Sequence, residues 1–109
     1  MDKERLEAHL NNGETELIMC AAVHVDDRIE HRYQPYNIDK GIVFCGWRYP
    51  CIFSQIRAAY GDKYSDSIQG FLTTKNRFLS RSESIDMVMQ NGQLKKGLIG
   101  GILKSEDLW

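Results

Sequence analysis

The apolar and polar positions divide the chain into alternating strand-like and helix-like stretches. Leu17 to Val25 is an almost unbroken apolar run closed by Asp26-Asp27, which predicts a strand buried on both faces and then a turn. Arg28 to Tyr33 alternates in part and Ile42 to Gly46 is rich in β-formers, so two further antiparallel strands are predicted, joined through Pro35 to Gly41. Ile52, Phe53, Ile56 and Tyr60 recur at helical spacing behind Pro50 and stop at Gly61, predicting an amphipathic helix over 50–60. After the polar stretch Asp62 to Ser67, the segments Gly70 to Thr73 and Arg77 to Leu79 flank Thr74-Lys75-Asn76 as a hairpin. Ser80-Arg81-Ser82-Glu83 has the form of a capping box and starts a second helix. Its expected buried stripe is Ile85, Val88 and Met89, and Asn91-Gly92 supplies a left-handed exit. A marginal helix over 2–11, carrying Leu6 and Leu10, and a glycine-rich loop around Gly97 to Gly101 complete the pattern. The predicted fold class is α+β: one domain over 1–109, a small antiparallel β-sheet packed with two to three α-helices.

Length and charge narrow the function. With 109 residues the core is modest, and an enclosed ligand pocket is expected to need a second copy of the chain. Fourteen Lys and Arg against fifteen Asp and Glu give a net charge of −1, without the positive field that binders of DNA or RNA polymers use. The longest apolar run falls short of the roughly 20 residues of a membrane span. The charged opening Met1 to Glu7 is unlike an export signal, so a cytoplasmic location and no membrane partner are expected. Three cysteines, Cys20, Cys45 and Cys51, lack CxxC spacing and suggest neither a disulfide framework nor a zinc knuckle.

Catalytic constellations are equally sparse. Cys20 and His24 share one side of a strand but lie about 13 Å apart along it, too far for direct proton transfer. His9, His24 and His31 show no metal-ligand spacing, so no metal and no cofactor are expected. Gly97-x-x-Gly100-Gly101 does not sit between a strand and a helix as a phosphate cradle must. Asp26-Asp27 and Glu106-Asp107 offer only adjacent carboxylates, where a stable cation site needs convergent ones. What remains are residue types that suit a nucleotide without suiting a reaction: aromatics for a base, arginines for phosphate and amides for base edges. Arg48 and Tyr49 stand where a strand feeds a helix N-terminus, Arg77 and Arg81 flank a second such junction, and Asn91 and Gln93 close its helix.

Gly46-x-Arg48-Tyr49, then Gln69-Gly70-Phe71-Leu72-Thr73 to Arg77-Phe78-Leu79-x-Arg81-x-Glu83, then Asn91-Gly92-Gln93-Leu94 and Ser105-Glu106-Asp107-Leu108-Trp109 are ordered landmarks over about residues 17–109. This series resembles that of a family of small phage and prophage proteins that includes the first-described Thoeris anti-defence proteins. The resemblance implies a non-enzymatic sponge that sequesters cyclic ADP-ribose-type signals intact in a bacterial host cell. It also implies a homo-oligomer, dimer or hexamer, with pockets between protomers, and some members hold cyclic di- or trinucleotides at separate sites. The ligand-binding residues expected are Arg48, Tyr49, Phe71, Thr73, Phe78, Arg81, Asn91 and Gln93. Tyr49 stands where the family usually has His, Ile85 where it has Ala and Cys51 where an acid is frequent, and Arg28 to Lys40 is longer than the family's simple turn. A protein-protein inhibitor anchored by Leu108 and Trp109 is the alternative from another class, and a small hydrolase of nucleotide signals is a third.

Overall fold

A computed structural model describes residues 15–63, 66–94 and 103–109. The predicted helix over 2–11 and the glycine-rich loop around 97–101 lie outside the described residues. Four strands, β1 (Ile18–Val25), β2 (Ile42–Gly46), β3 (Ser67–Thr73) and β4 (Phe78–Ser80), form one antiparallel sheet in the order β2-β1-β3-β4. Helices α1 (Tyr49–Tyr60) and α2 (Arg81–Asn91) pack on one face of it. The architecture is α+β, as the pattern predicts.

Local chemistry fixes both helices. Arg48 holds an extended N-cap before α1, Pro50 fills a first-turn position that needs no amide donor, and Gly61 ends the helix at φ 70°. In α2 the Ser80 hydroxyl accepts from the Glu83 amide while the Glu83 carboxylate accepts from the Ser80 amide, and Gly92 closes the helix in the left-handed region at φ 81°. The buried stripe of α2 is Ser84 and Val88, with Ile85 half-buried; Met89 is 65% exposed and does not belong to it. Ser84 can be buried because its hydroxyl donates to the Ser80 carbonyl at 2.8 Å.

Ala21, Val23 and Val25 of β1, Phe71 of β3 and Ile52 and Ile56 of α1 form the core, joined by Val88 from α2 and by Leu103 and Leu108 from the C-terminal segment. That segment makes a 3₁₀ turn at Ser105–Asp107, where Asp107 Oδ2 accepts from the Lys104 amide at 2.9 Å. It lies in the helical layer rather than projecting from it.

Arg28 to Tyr33 is not a strand. Asp26 and Asp27 bond the amides of Arg28 and Ile29 at 2.9 and 3.0 Å, turning the chain at once. Arg28 and Tyr33 take φ 63° and 64°, which no strand accommodates. The connection instead spans the sheet from edge to edge: Gln34 accepts from the Val43 amide on β2, and Asn37 bonds both the amide and the carbonyl of Phe78 on β4. It thereby shelters part of the face opposite the helices, where Phe78 packs on His24 with centroids 5.8 Å apart. Ala22 is buried on that face, and β1 is sheltered on both sides as its continuous apolar run predicts.

Candidate functional site

Two strand-to-helix junctions open onto the helical layer. The first carries Trp47 and Arg48 between β2 and α1; the second carries Arg81 as the first residue of α2. Arg48 lies against two indoles, 5.3 Å from the Trp47 centroid and 5.7 Å from that of Trp109. Its Nη2 donates to the backbone oxygen of Trp109 at 2.7 Å, and its Nε lies 3.6 Å from Glu106 Oε1. Trp109 Nε1 donates to the Trp47 carbonyl at 3.3 Å, holding the C-terminal segment against this corner.

At the second junction Arg81 Nη2 donates to Gln69 Oε1, and the guanidinium covers the Tyr49 ring at 4.5 Å. Tyr49 donates its hydroxyl to the Gly70 carbonyl at 2.7 Å. Burial pushes that hydroxyl above its usual range against the opposing pull of Arg81, which suits a donor. Phe71 meets Tyr49 and Trp109 at centroid distances of 6.1 and 6.2 Å, so one aromatic chain links the two guanidinium groups.

Both guanidiniums are incompletely satisfied. Arg48 Nη1 and Arg81 Nε are buried and have no hydrogen-bond acceptor, the only such side-chain atoms among the described residues. A buried donor left unpaired costs about 1–3 kcal/mol. Each of these two donors belongs to a guanidinium that lies against an aromatic ring.

The other sequence-predicted residues lie elsewhere. Phe71 has no exposed surface and forms the floor beneath the site. Thr73 donates to Glu16 Oε2 at 2.5 Å, and Arg77 clamps the same carboxylate at 2.8 and 2.6 Å. Gln93 donates to and accepts from the Ile18 backbone at 3.0 and 2.7 Å, and Asn91 bonds the Glu16 carbonyl and Gln93. Thr73, Asn91 and Gln93 thus hold the chain entering β1, beside an open cavity of about 520 Å³ lined by Glu16, Arg77, Glu83 and Asp86. Phe78 is buried on the opposite face of the sheet. Among the described residues no cluster of His, Cys, Asp or Glu could hold a metal ion, and no helix is long and apolar enough to cross a membrane.

Residues 12–109 match the model of the Phage T4 y16D protein family. The chain belongs to this family of small phage proteins. No curated protein and no solved structure matches it. The span shared with the Phage T4 y16D family covers both junctions and the C-terminal segment. Sequence reasoning missed Gln69 and Trp47 as parts of the corner and gave Trp109 a role only in the alternative reading, as an anchor together with Leu108. The signal available for Trp47 was an indole beside an arginine at a strand end; none pointed from position 109 back to position 48.

The clamp on Glu16 sets an acid limit on stability. Burial would raise its pKa, but the Arg77 guanidinium and the Thr73 hydroxyl outweigh it and hold the carboxyl below the usual carboxylate range. A carboxyl depressed in the folded state stabilises above its unfolded pKa of about 4.3, and that contribution disappears as pH falls through the folded value. Urea unfolding measured from about pH 7 down to about pH 3 is therefore expected to show a loss below about 4.3 that Glu16→Gln lacks. Parallel profiles for the two proteins would count against the clamp.

Proposed function

We propose that the protein binds a cyclic ADP-ribose-type signal nucleotide at the Arg48–Arg81 corner and sequesters it intact, with a second subunit closing over that corner. The observation that carries this reading is the pair of unpartnered guanidinium donors, Arg48 Nη1 and Arg81 Nε, set beside Trp47, Trp109 and Tyr49. A pyrophosphate supplies acceptors for both, and an adenine supplies a plane for the indole of Trp47, 65% exposed. Retention needs affinity and no matched acid and base, so no cleavage step is assigned. Cyclic di- or trinucleotides, with the same anionic and aromatic chemistry, are further candidate ligands in this reading. The family landmarks noted in the sequence, and membership of a phage family, support the anti-defence role.

The test incubates the protein with cyclic ADP-ribose isomers, removes free ligand, denatures by heat and analyses what is released. Intact nucleotide is expected; no nucleotide, or a degraded one, refutes the reading. Arg48→Ala and Arg81→Ala are each expected to weaken binding by about 2 kcal/mol, roughly thirty-fold. Each substitution removes a buried donor without an acceptor but also the contacts of Arg48 with Trp109 or of Arg81 with Gln69 and Tyr49, so urea unfolding of the unliganded variants accompanies the binding measurement. Titration calorimetry on both variants with wild-type affinity would move the ligand away from this corner.

A further inference from the structure

Cys20 and Cys45 come from neighbouring strands. The β1–β2 register pairs Ala22 with Cys45 and Ala21 with Gly46, which sets Cys20 diagonally across from Cys45. A Cβ on Gly46 would point at Ile52 and Cys51 of α1, so Cys45, one residue earlier, faces the other side of the sheet. Cys20 lies on that same side, since Ala21 beside it faces the helical core, and the two thiols are close enough to shift each other's titration. Both are free and half-buried, whereas Cys51 is exposed on the helical side.

We propose that Cys20 and Cys45 form a reversible intramolecular disulfide when the protein meets a low-molecular-weight disulfide such as glutathione disulfide. The roles of the two sulfurs differ. The neighbouring Cys20 thiol draws the Cys45 thiol below its usual range, whereas Cys45 together with burial pushes the Cys20 thiol up. Cys45, as thiolate, attacks one sulfur of glutathione disulfide, forming a mixed disulfide and expelling one glutathione thiolate. Cys20 then loses its proton to that thiolate and attacks the Cys45 sulfur, expelling the second glutathione. The balance is two protein thiols and one glutathione disulfide giving one protein disulfide and two glutathiones.

Diagonal neighbours in an antiparallel pair stand about 7–8 Å apart, beyond the roughly 7 Å that a bridge spans without backbone movement. The register of β1 is already irregular between Ile18 and Cys20, which gives this end of the strand room to adjust. A bridge made under such tension is easily reduced again, which is the property of a switch rather than a staple. Its position also matters, because Cys45 lies two residues before Trp47 on the strand that delivers Arg48. The proposal does not depend on what binds there.

The experiment treats Cys51→Ser protein with glutathione disulfide, quenches with acid, and reads intact mass and alkylation by peptide mapping. The expected product has lost the mass of two hydrogens, is blocked at Cys20 and Cys45 together, and regains both thiols with dithiothreitol. A lasting glutathione adduct on either cysteine, a disulfide between two chains, or full alkylation of both under conditions that modify Cys51 of the wild type overturns it. Peptide mapping of the wild-type protein gives the same reading without the substitution.

Discussion

Phe71→Ala is expected to lower the free energy of unfolding by about 4 kcal/mol, as truncation of a large core aromatic does. Phe71 is fully buried at the middle of β3, opposite Ala21 on β1 and Leu79 on β4. Ala21 is too short to refill the space, and the rings of Tyr49 and Trp109 would each lose the edge they pack on. For a domain whose total stability is about 5–15 kcal/mol, the loss is a large share of the whole. Urea unfolding at neutral pH checks it, with Phe71→Leu as a milder companion expected to cost under about 1.5 kcal/mol. If Phe71 were instead a ligand contact, alanine would weaken nucleotide binding while unfolding stayed within about 1 kcal/mol of wild type.

Gly70→Ala is the second large effect, expected to cost about 3 kcal/mol, the upper end of ordinary overpacking. A Cβ at this position would stand 1.9 Å from the Leu79 carbonyl oxygen and 2.9 Å from Ser80 Cα. These are backbone atoms of β4 that no rotamer change can move aside. Relief requires shifting β4, a strand of three residues, and with it Ser80, which caps α2. Arg81 follows Ser80, so the site should be disturbed as well as the fold. Thermal unfolding and far-ultraviolet dichroism measure the loss; a melting temperature equal to that of wild type would show that β4 is free to yield.

The parts of the fold that were legible in the sequence depend on neighbours in the chain. The Ser80–Glu83 box, the Gly92 exit and Pro50 each act over four residues or fewer, and each fixed an element. Arg28 to Tyr33 misled because partial alternation says nothing about Asp26 and Asp27, whose carboxylates capture the next amides and turn the chain. Met89 misled because hydrophobicity was counted and Ser84 was not; a hydroxyl that bonds its own helix can take a buried place. At the site, Arg48, Tyr49 and Arg81 were legible as residue types at strand ends. That Trp109 folds back 61 positions to meet Arg48 was not, since no periodicity carries a contact of that range. Thr73, Asn91 and Gln93 offered the right donors and acceptors for a base edge, but a strand entering a sheet presents the same unpaired groups, and Ile18 takes the Gln93 amide.

Tryptophan occurs at two positions in the chain, and both indoles lie against the Arg48 guanidinium. All indole fluorescence of this protein therefore originates at one corner of the molecule. Any occupant that displaces the cation or stacks on either ring will alter brightness or colour, so an unlabelled sample already contains its own optical gauge of occupancy.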